Sequence, residues 1–168
     1  GMHRVAGGPA CAGDAISMGL MGALTGKWAS EGQDMQQIVS LLVSEVNKAG
    51  GINGKQIELI VEDDAGDPRT ASLAAQKLAS AGVMAVIGTY GSAVTEASQN
   101  IIDEAEIMQI ATGSTSVRLT EKGLPLFFRT CPRDGAQGRV PSKGIAAQGS
   151  RQGAILHGHS SYPQGRRV

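Results

Sequence analysis

The chain has 168 residues, and its hydrophobic fraction of 41% is sufficient for one packed core, which excludes a disordered polymer. Fifteen basic residues balance fifteen acidic ones, so no net charge attracts nucleic acid, and we predict no nucleic-acid partner. No apolar run approaches the ~18 residues that a membrane span requires.

Charge and composition divide the chain into regions. Residues 1–14 predict a flexible leader, and because its basic start is not followed by an apolar segment, no functional export signal is visible in it. Residues 1–130 contain nine basic and fourteen acidic side chains, whereas residues 131–168 contain six basic and one acidic. This change predicts a boundary near residue 130.

The first ordered segment predicts a strand, a helix and a second strand. Residues 16–21 have strand character, and a glycine-flanked loop is predicted at 25–32. The helix then follows from apolar residues at helical spacing, namely Met35, Ile38, Val39, Leu42, Val43 and Val46. Gly50 and Gly51 end this helix, and residues 57–62 predict the second strand.

The same alternation continues through the rest of the chain. Asp67 followed by Pro68 predicts the start of a second helix, and the apolar run at 83–87 predicts a strand buried on both faces. The remaining predicted elements are a third helix that ends at Glu104, strands at 107–111 and 126–129, a helix at 136–148 despite Pro141, and a strand at 153–157. Strands separated by helices predict an α/β fold with an open parallel sheet and helices on both faces.

Two loops follow the third and fourth predicted strands, at 88–92 and 112–116. Ligands of open parallel sheets bind at the carboxyl ends of strands, where helix N-termini present free N–H groups. Both loops combine small residues with hydroxyl groups that can donate to a carboxylate. The alternative is that Ser92 only caps the third helix and that the second loop is an ordinary polar turn, and spacing leaves both interpretations open.

Three aspartates near the second strand raise a different possibility. Asp63 and Asp64, with Asp67, could form the acidic phosphoacceptor pocket of a receiver-like signalling domain. Such a domain needs a lysine after the fifth strand, where this chain has Arg129 and Thr130. We therefore favour Asp67 as a helix cap and Asp63 and Asp64 as solvated turn residues.

The sequence predicts no cofactor and no metal site. The segment 22–28 has neither the glycine spacing nor the hydroxyl residue of a phosphate loop, and no dinucleotide-binding or serine-hydrolase motif is present. Cys11 and Cys131 lie in loop-like sequence far apart, and His157 and His159 lie in a glycine-rich segment typical of exposed loops.

Several motifs in one order resemble the branched-chain amino-acid-binding proteins, which are type I periplasmic substrate-binding proteins of ABC transporters. The similarity covers residues 16–165 and includes GALTG at 22–26, EVNKAGGINGK at 45–55, DDAGDP at 63–68, VIG at 86–88, LTEKG at 119–123 and FRT at 128–130. The resemblance implies a Venus-flytrap fold with residues 15–130 as the ligand-binding first lobe and 131–168 as a truncated start of the second. It also implies a non-catalytic, periplasmic protein that binds a small carboxylate or amino acid and delivers it to an ABC permease.

The resemblance further implies which residues bind the ligand. The family's contacts in the first lobe fall on Ser92, the main chain near Gly113 and the hydroxyl of Thr115, and a contact from the second lobe falls on Tyr162. Tyr90, within the first loop, and Trp28 complete the predicted site.

The chain departs from the family at several positions. The family often has a disulfide where this chain has Gly66 and Gly91, and often has an aromatic residue where this chain has Glu31. Pro141 and Gly144 are expected to interrupt a regular family helix, so a remnant that binds no ligand is a third possibility. An incomplete second lobe would expose apolar surface, and we expect a homodimer formed through the basic segment from residue 131 onward.

Overall fold

The computed structural model describes residues 15–149, so the predicted leader at 1–14, the predicted strand at 153–157 and Tyr162 lie outside these residues. Its elements are β1 (Ile16–Gly22), α1 (Ala29–Lys48), β2 (Ile57–Asp63), α2 (Pro68–Ser80), β3 (Ala85–Ile87), α3 (Ser92–Glu104), β4 (Met108–Ala111), α4 (Arg118–Glu121), β5 (Phe127–Arg129) and α5 (Asp134–Ala147). No helix within these residues has the length and hydropathy needed to cross a lipid bilayer.

The five strands form one parallel sheet in the order β2-β1-β3-β4-β5. β1 lies between β2 and β3, with Leu20 paired to Val61 of β2 on one side and to Ile87 of β3 on the other. The predicted α/β fold with an open parallel sheet is confirmed.

The glycines of β1 show which helices cover each face. A Cβ on Gly19 would lie 3.1 Å from the Leu78 side chain of α2, and a Cβ on Gly22 would lie 2.5 Å from the Met35 side chain of α1. Because successive strand residues point to opposite faces, α1 and α2 lie on opposite sides of the sheet. The principal core lies on the α2 side and contains Met21, Ala74, Ala75, Leu78, Val83, Val86, Ile102 and Ile107.

The face of the sheet on the α1 side is less completely covered. α1 packs on β1 and β2. Ala85 and Ile87 pair with Met18 and Leu20, so they share the face to which Gly22 points, and both are only half-buried. The prediction that the third strand is buried on both faces is therefore wrong on this side.

α1 begins at Ala29, inside the segment predicted to be a loop. A short 3-10 turn at Gly26–Trp28 leads directly into the helix. Gly32 belongs to the helix because the absence of a side chain allows α1 to lie against the backbone of Ala23. A glycine interpreted as a loop residue therefore serves close helix packing.

α5 forms one continuous helix with Pro141 inside it. The predicted helix is confirmed, and it begins two residues earlier than expected. The expected interruption at Pro141 and Gly144 is not observed, although Pro141 has no N–H to donate to the preceding turn. The Ser142 hydroxyl donates to the Gly138 carbonyl at 2.6 Å, within the turns that surround the proline.

Candidate functional site

A pocket of about 350 Å³ lies beside the carboxyl ends of β1, β3 and β4. Its lining residues are Trp28, Tyr90, Gly91, Ser92, Gly113 and Thr115. The structure thus brings together the predicted site residues that lie within 15–149, from three segments separated in sequence. Tyr162 lies outside the described residues.

Buried hydroxyl groups join the two loops beneath this pocket. Thr95 of α3 hydrogen-bonds to the hydroxyls of both Thr89 and Ser114, and all three residues are fully buried. The Ser114 hydroxyl also lies 3.2 Å from the Tyr90 carbonyl. Because a shared network restricts each loop, the loops hold a fixed separation at the pocket.

Ser92 is the first residue of α3 and is 2% exposed. Its hydroxyl oxygen accepts a hydrogen bond from the Ser116 N–H at 3.2 Å, so it connects the two loops. The residue at the N-cap is Gly91, and no side chain caps the helix there. The alternative that Ser92 only caps this helix is therefore wrong, and the hydroxyl proton is available as a donor at the pocket.

Thr115 is 5% exposed and lines the pocket, yet its hydroxyl has no hydrogen-bond partner within residues 15–149. The Asp134 N–H donates to its carbonyl at 2.9 Å, which fixes the backbone at this point. A buried hydroxyl without a partner costs about 1–3 kcal/mol. A ligand oxygen in the pocket would remove this cost.

The N-terminus of α3 provides the electrostatic component of the site. The first turn contains no acidic residue, and Gly91 and Ser92 at its start both line the pocket. The free N–H groups and the dipole of a 13-residue helix favour an anion at this end. The pocket therefore combines hydroxyl donors with a favourable field for a carboxylate.

Two aromatic side chains form the apolar wall of the pocket. Trp28 and Tyr90 pack edge to face, with ring centroids 5.7 Å apart and planes at 67°. Tyr90 is 38% exposed, so its ring also presents surface to solvent. This wall suits the apolar part of a small ligand.

Trp28 occupies the space between two loop glycines. A Cβ on Gly91 would lie 2.7 Å from the Trp28 Cη2, and a Cβ on Gly66 would lie 2.9 Å from its Cε3. These glycines lie at the positions where the branched-chain amino-acid-binding proteins, which the sequence resembles, often have a disulfide. The indole therefore fills the space between the loop that contains Gly66 and the loop that contains Gly91. The Lys27 Nζ lies 4.0 Å from the centroid of the Trp28 ring, in cation–π contact.

Gly113 is required by the position of Tyr90. A Cβ at this position would lie 2.5 Å from the Tyr90 Cδ2 and 3.0 Å from its carbonyl oxygen. The close approach allows the backbone of the second loop to lie against the first. A side chain at this position would move the aromatic wall.

Arg129 supports the second loop, a role that was not predicted from the sequence. Its Nη1 donates to the carbonyls of Ser114 at 3.0 Å and Ser116 at 2.9 Å, and its Nη2 donates to the Thr120 hydroxyl at 2.6 Å. An arginine that ends a strand beside a hydroxyl-rich loop is the only sequence signal for this contact. The guanidinium thereby fixes the residues on both sides of Thr115.

The aspartates near β2 are structural. Asp67 caps α2, and its Oδ1 accepts from the N–H groups of Arg69 at 3.0 Å and Thr70 at 2.9 Å, as predicted. Burial raises the pKa of Asp63, but hydrogen bonds from Thr25, Ala65 and Leu24 outweigh this and hold the pKa below its ordinary value. Asp63 therefore ties the loop after β1 to the end of β2.

Asp64 is 1% exposed, so its prediction as a solvated turn residue is wrong. Its Oδ1 accepts from the Gly66 N–H at 2.8 Å, while its Oδ2 has no partner within residues 15–149. Burial raises the pKa of Asp64 to about 6, and the neighbouring Asp63 charge adds to the effect.

The receiver-like alternative receives no support from these aspartates. The carboxylates of Asp63 and Asp67 are engaged in local hydrogen bonds, and Asp64 is enclosed. Within the described part of the chain, no group of three or more His, Cys, Asp or Glu side chains is arranged to hold a metal ion.

The sequence of this chain is similar to those of curated proteins, two of which are described here. The Leu/Ile/Val-binding protein homolog 2 of Brucella abortus is 40% identical over 152 residues, which is 89% of this chain and 41% of the relative. The leucine-, isoleucine-, valine-, threonine- and alanine-binding protein of Pseudomonas aeruginosa is 36% identical over 156 residues, which is 92% of this chain and 42% of the relative. The chain thus spans about two-fifths of the length of these relatives.

A solved structure shows the same correspondence in three dimensions. The branched-chain amino acid transporter substrate-binding protein of Streptococcus pneumoniae, in complex with isoleucine, superposes with a TM-score of 0.74 at 31% identity, over 79% of this chain and 38% of that one. The family model for periplasmic binding proteins matches residues 15–168. The chain belongs to the periplasmic binding protein family.

Proposed function

We propose that this chain is the first lobe of a non-catalytic solute-binding protein of an ABC transporter for branched-chain or related amino acids. The observation that carries the proposal is the Thr115 hydroxyl, which is buried at the pocket wall without a partner in the described part of the chain. One relative is named as a binding protein for leucine, isoleucine, valine, threonine and alanine, and this name supports the ligand class.

The ligand carboxylate accepts hydrogen bonds from the hydroxyls of Thr115 and Ser92 and faces the N-terminus of α3. The main chain at Gly113 forms the adjoining floor, and Trp28 and Tyr90 pack against the ligand's apolar part. None of the described pocket residues is a carboxylate, an imidazole, a thiol or an amine, which supports binding without catalysis.

The proposal includes the wider assembly. Residues 15–130 form the first lobe, residues 131–168 begin the second, and Tyr162 supplies a ligand contact from that second lobe. The protein acts in the periplasm, passes its ligand to an ABC permease and forms a homodimer. Family membership and the similarity to a transporter substrate-binding protein of Streptococcus pneumoniae support the transport role.

Amide chemical shifts measured by NMR test the ligand site directly. Leucine, isoleucine and valine are expected to shift the amide signals of Ser92, Gly113 and Thr115, whereas leucinol, which lacks the carboxylate, is expected to leave them in place. A small aromatic acid in the same series distinguishes an aliphatic from an aromatic ligand. No shift with any carboxylate would favour a remnant that binds nothing.

Thr115→Val separates the proposed hydrogen bond from the shape of the pocket. Valine has nearly the same volume, so only the donor to the ligand is lost, and leucine affinity is expected to fall roughly 10- to 100-fold because the acceptor is charged. The control is Thr130→Val, an exposed threonine that does not line the pocket. Equal affinity of both variants would contradict the proposed role of Thr115.

A further inference from the structure

Thr95 lies in the first turn of α3 and is fully buried beneath the pocket. Its hydroxyl hydrogen-bonds to the hydroxyls of Thr89 and Ser114, and it lies 3.1 Å from the Gly91 carbonyl oxygen. Thr89 and Gly91 belong to the first pocket loop, and Ser114 belongs to the second. One hydroxyl group therefore contacts both loops, although Thr95 is not one of the residues that line the pocket.

The three contacts use the full hydrogen-bonding capacity of the Thr95 hydroxyl, which has one proton and two acceptor positions. A carbonyl oxygen can only accept, so the Thr95 proton is directed to Gly91. The Thr89 and Ser114 hydroxyls then donate to the Thr95 oxygen. The Thr95 N–H also donates to the Gly91 carbonyl, at 3.0 Å. The Thr95 hydroxyl thus cannot rotate without losing a buried hydrogen bond.

The partners of Thr95 are the sequence neighbours of the two residues that donate to the ligand in the proposed site. Gly91 precedes Ser92 at the start of α3, and Ser114 precedes Thr115 in the second loop. Because the peptide bond that joins each pair is planar, fixing the first residue restricts the backbone of the second. Contacts made by one buried side chain therefore reach both ligand donors.

We propose that Thr95 is a positioning residue, which sets the separation between the Ser92 and Thr115 hydroxyls without touching the ligand. This inference rests on the proposed function, because it requires a ligand carboxylate that accepts from both hydroxyls. The two donors come from different loops, so a carboxylate reaches both only when the loops are held in one arrangement. Site residues keep such a geometry when a second layer of hydrogen bonds supports them.

Thr95→Val tests this role. Valine has nearly the same shape and lacks the hydroxyl, so the Thr89 and Ser114 hydroxyls lose their common acceptor while the packing of α3 is kept. Leucine affinity, measured by NMR titration, is expected to fall about tenfold, which lies within the range of coupling between residues of one network. Thr95→Ser retains the hydroxyl and is expected to restore most of the affinity.

Ser98→Ala is the matched control for the loss of a buried hydroxyl from the same helix. Ser98 is fully buried, and its hydroxyl contacts the Thr95 carbonyl at 3.2 Å and the Gln109 amide at 3.4 Å, neither of which lies in a pocket loop. The variant is expected to lose stability in urea without losing affinity for leucine. An equal loss of affinity in Ser98→Ala would assign the effect to general loosening of α3 and would overturn the proposal.

The double variant Thr95→Val with Thr115→Val tests whether Thr95 acts through the Thr115 hydroxyl. Once that hydroxyl is absent, its position no longer matters. Adding Thr95→Val to Thr115→Val is therefore expected to weaken leucine binding by a smaller factor than Thr95→Val does in the wild-type chain. If the two factors simply multiply, Thr95 does not position Thr115 and the proposal is wrong.

Circular dichroism shows whether each variant is folded. If Thr95→Val does not fold, Ser114→Ala removes the partner of Thr95 in the second loop and is expected to lower leucine affinity in its place. A wild-type chain that binds no carboxylate would overturn the proposed function and this inference with it. A wild-type chain that binds leucine no more tightly than folded Thr95→Val would overturn this inference alone, and would show that Arg129 suffices to hold the second loop.

Discussion

A single buried carboxyl group gives this molecule a defined pH dependence. Asp64 has a folded-state pKa of about 6, against an ordinary value of 3.8, because burial disfavours its charged form. Between these two pH values the unfolded chain releases the proton while the folded chain retains it. The contribution of Asp64 to stability is therefore fully present below pH 4 and is lost as the pH rises to about 6.

Asp64→Asn tests this contribution. The amide oxygen still accepts from the Gly66 N–H, and the substitution removes the ionisable group. As the pH rises from 4 to 7.5, the free energy of unfolding of the variant is therefore expected to increase relative to that of wild type. The expected increase is about 1–2 kcal/mol after allowance for solvent screening. Urea unfolding at several pH values measures the difference. Glu104→Gln, at an exposed position, serves as the control, and parallel pH profiles of wild type and Asp64→Asn would refute the assignment.

At the scale of elements, the second loop is held from several directions. Arg129 binds the carbonyls on both sides of Thr115, and Ser92 accepts from the Ser116 N–H. The Asp134 N–H at the start of α5 donates to the Thr115 carbonyl. The loop is thus ordered before any ligand arrives, which lowers the entropic cost of binding.

Arg129→Met removes this support and leaves buried loop carbonyls with one hydrogen bond fewer. We expect a loss of about 1–3 kcal/mol in stability, with faster hydrogen exchange at the Ser116 and Asp134 amides. Arg118→Met is the control, because Arg118 makes an exposed ion pair of 3.5 Å with Glu96 and is expected to cost less than about 1 kcal/mol. Unchanged protection at Ser116 in Arg129→Met would show that the other contacts suffice.

The local elements could be predicted because each carries a local signal. Asp67 followed by Pro68 marks the start of α2, and alternating strands and helices define the parallel sheet. The site loops were found because glycines and hydroxyls follow two strands in succession. Because both loops follow neighbouring parallel strands, the topology of the sheet places them side by side at the same edge.

Other features depend on contacts between distant residues and have no local signal. A pair of aspartates at a strand end is typical of a solvated turn, and only the folded chain encloses Asp64. Ile38 and Leu42 share the helical periodicity of Val39, yet Val39 is buried and the other two are exposed. Periodicity gives the width of an apolar stripe, whereas the neighbouring elements determine how much of it is covered.

At the scale of the whole molecule, the proposed function makes this chain one lobe, which provides one side of a binding cleft. A ligand on this lobe keeps its carboxylate contacts while its far side remains in water, and losing about 4 kcal/mol of contacts weakens binding roughly a thousandfold. Calorimetry of this chain with leucine is therefore expected to give a dissociation constant well above the micromolar range. Sub-micromolar binding would show that the described pocket is sufficient by itself.

The position of Trp28 also allows the pocket to be studied by intrinsic fluorescence. The chain contains one tryptophan, and that residue lies in the pocket wall against Tyr90, between Gly66 and Gly91. Indole emission responds to the polarity around the ring, and with a single emitter the whole signal comes from this place. The molecule therefore carries its own optical reporter, and events at the pocket can be followed in real time without attaching a dye.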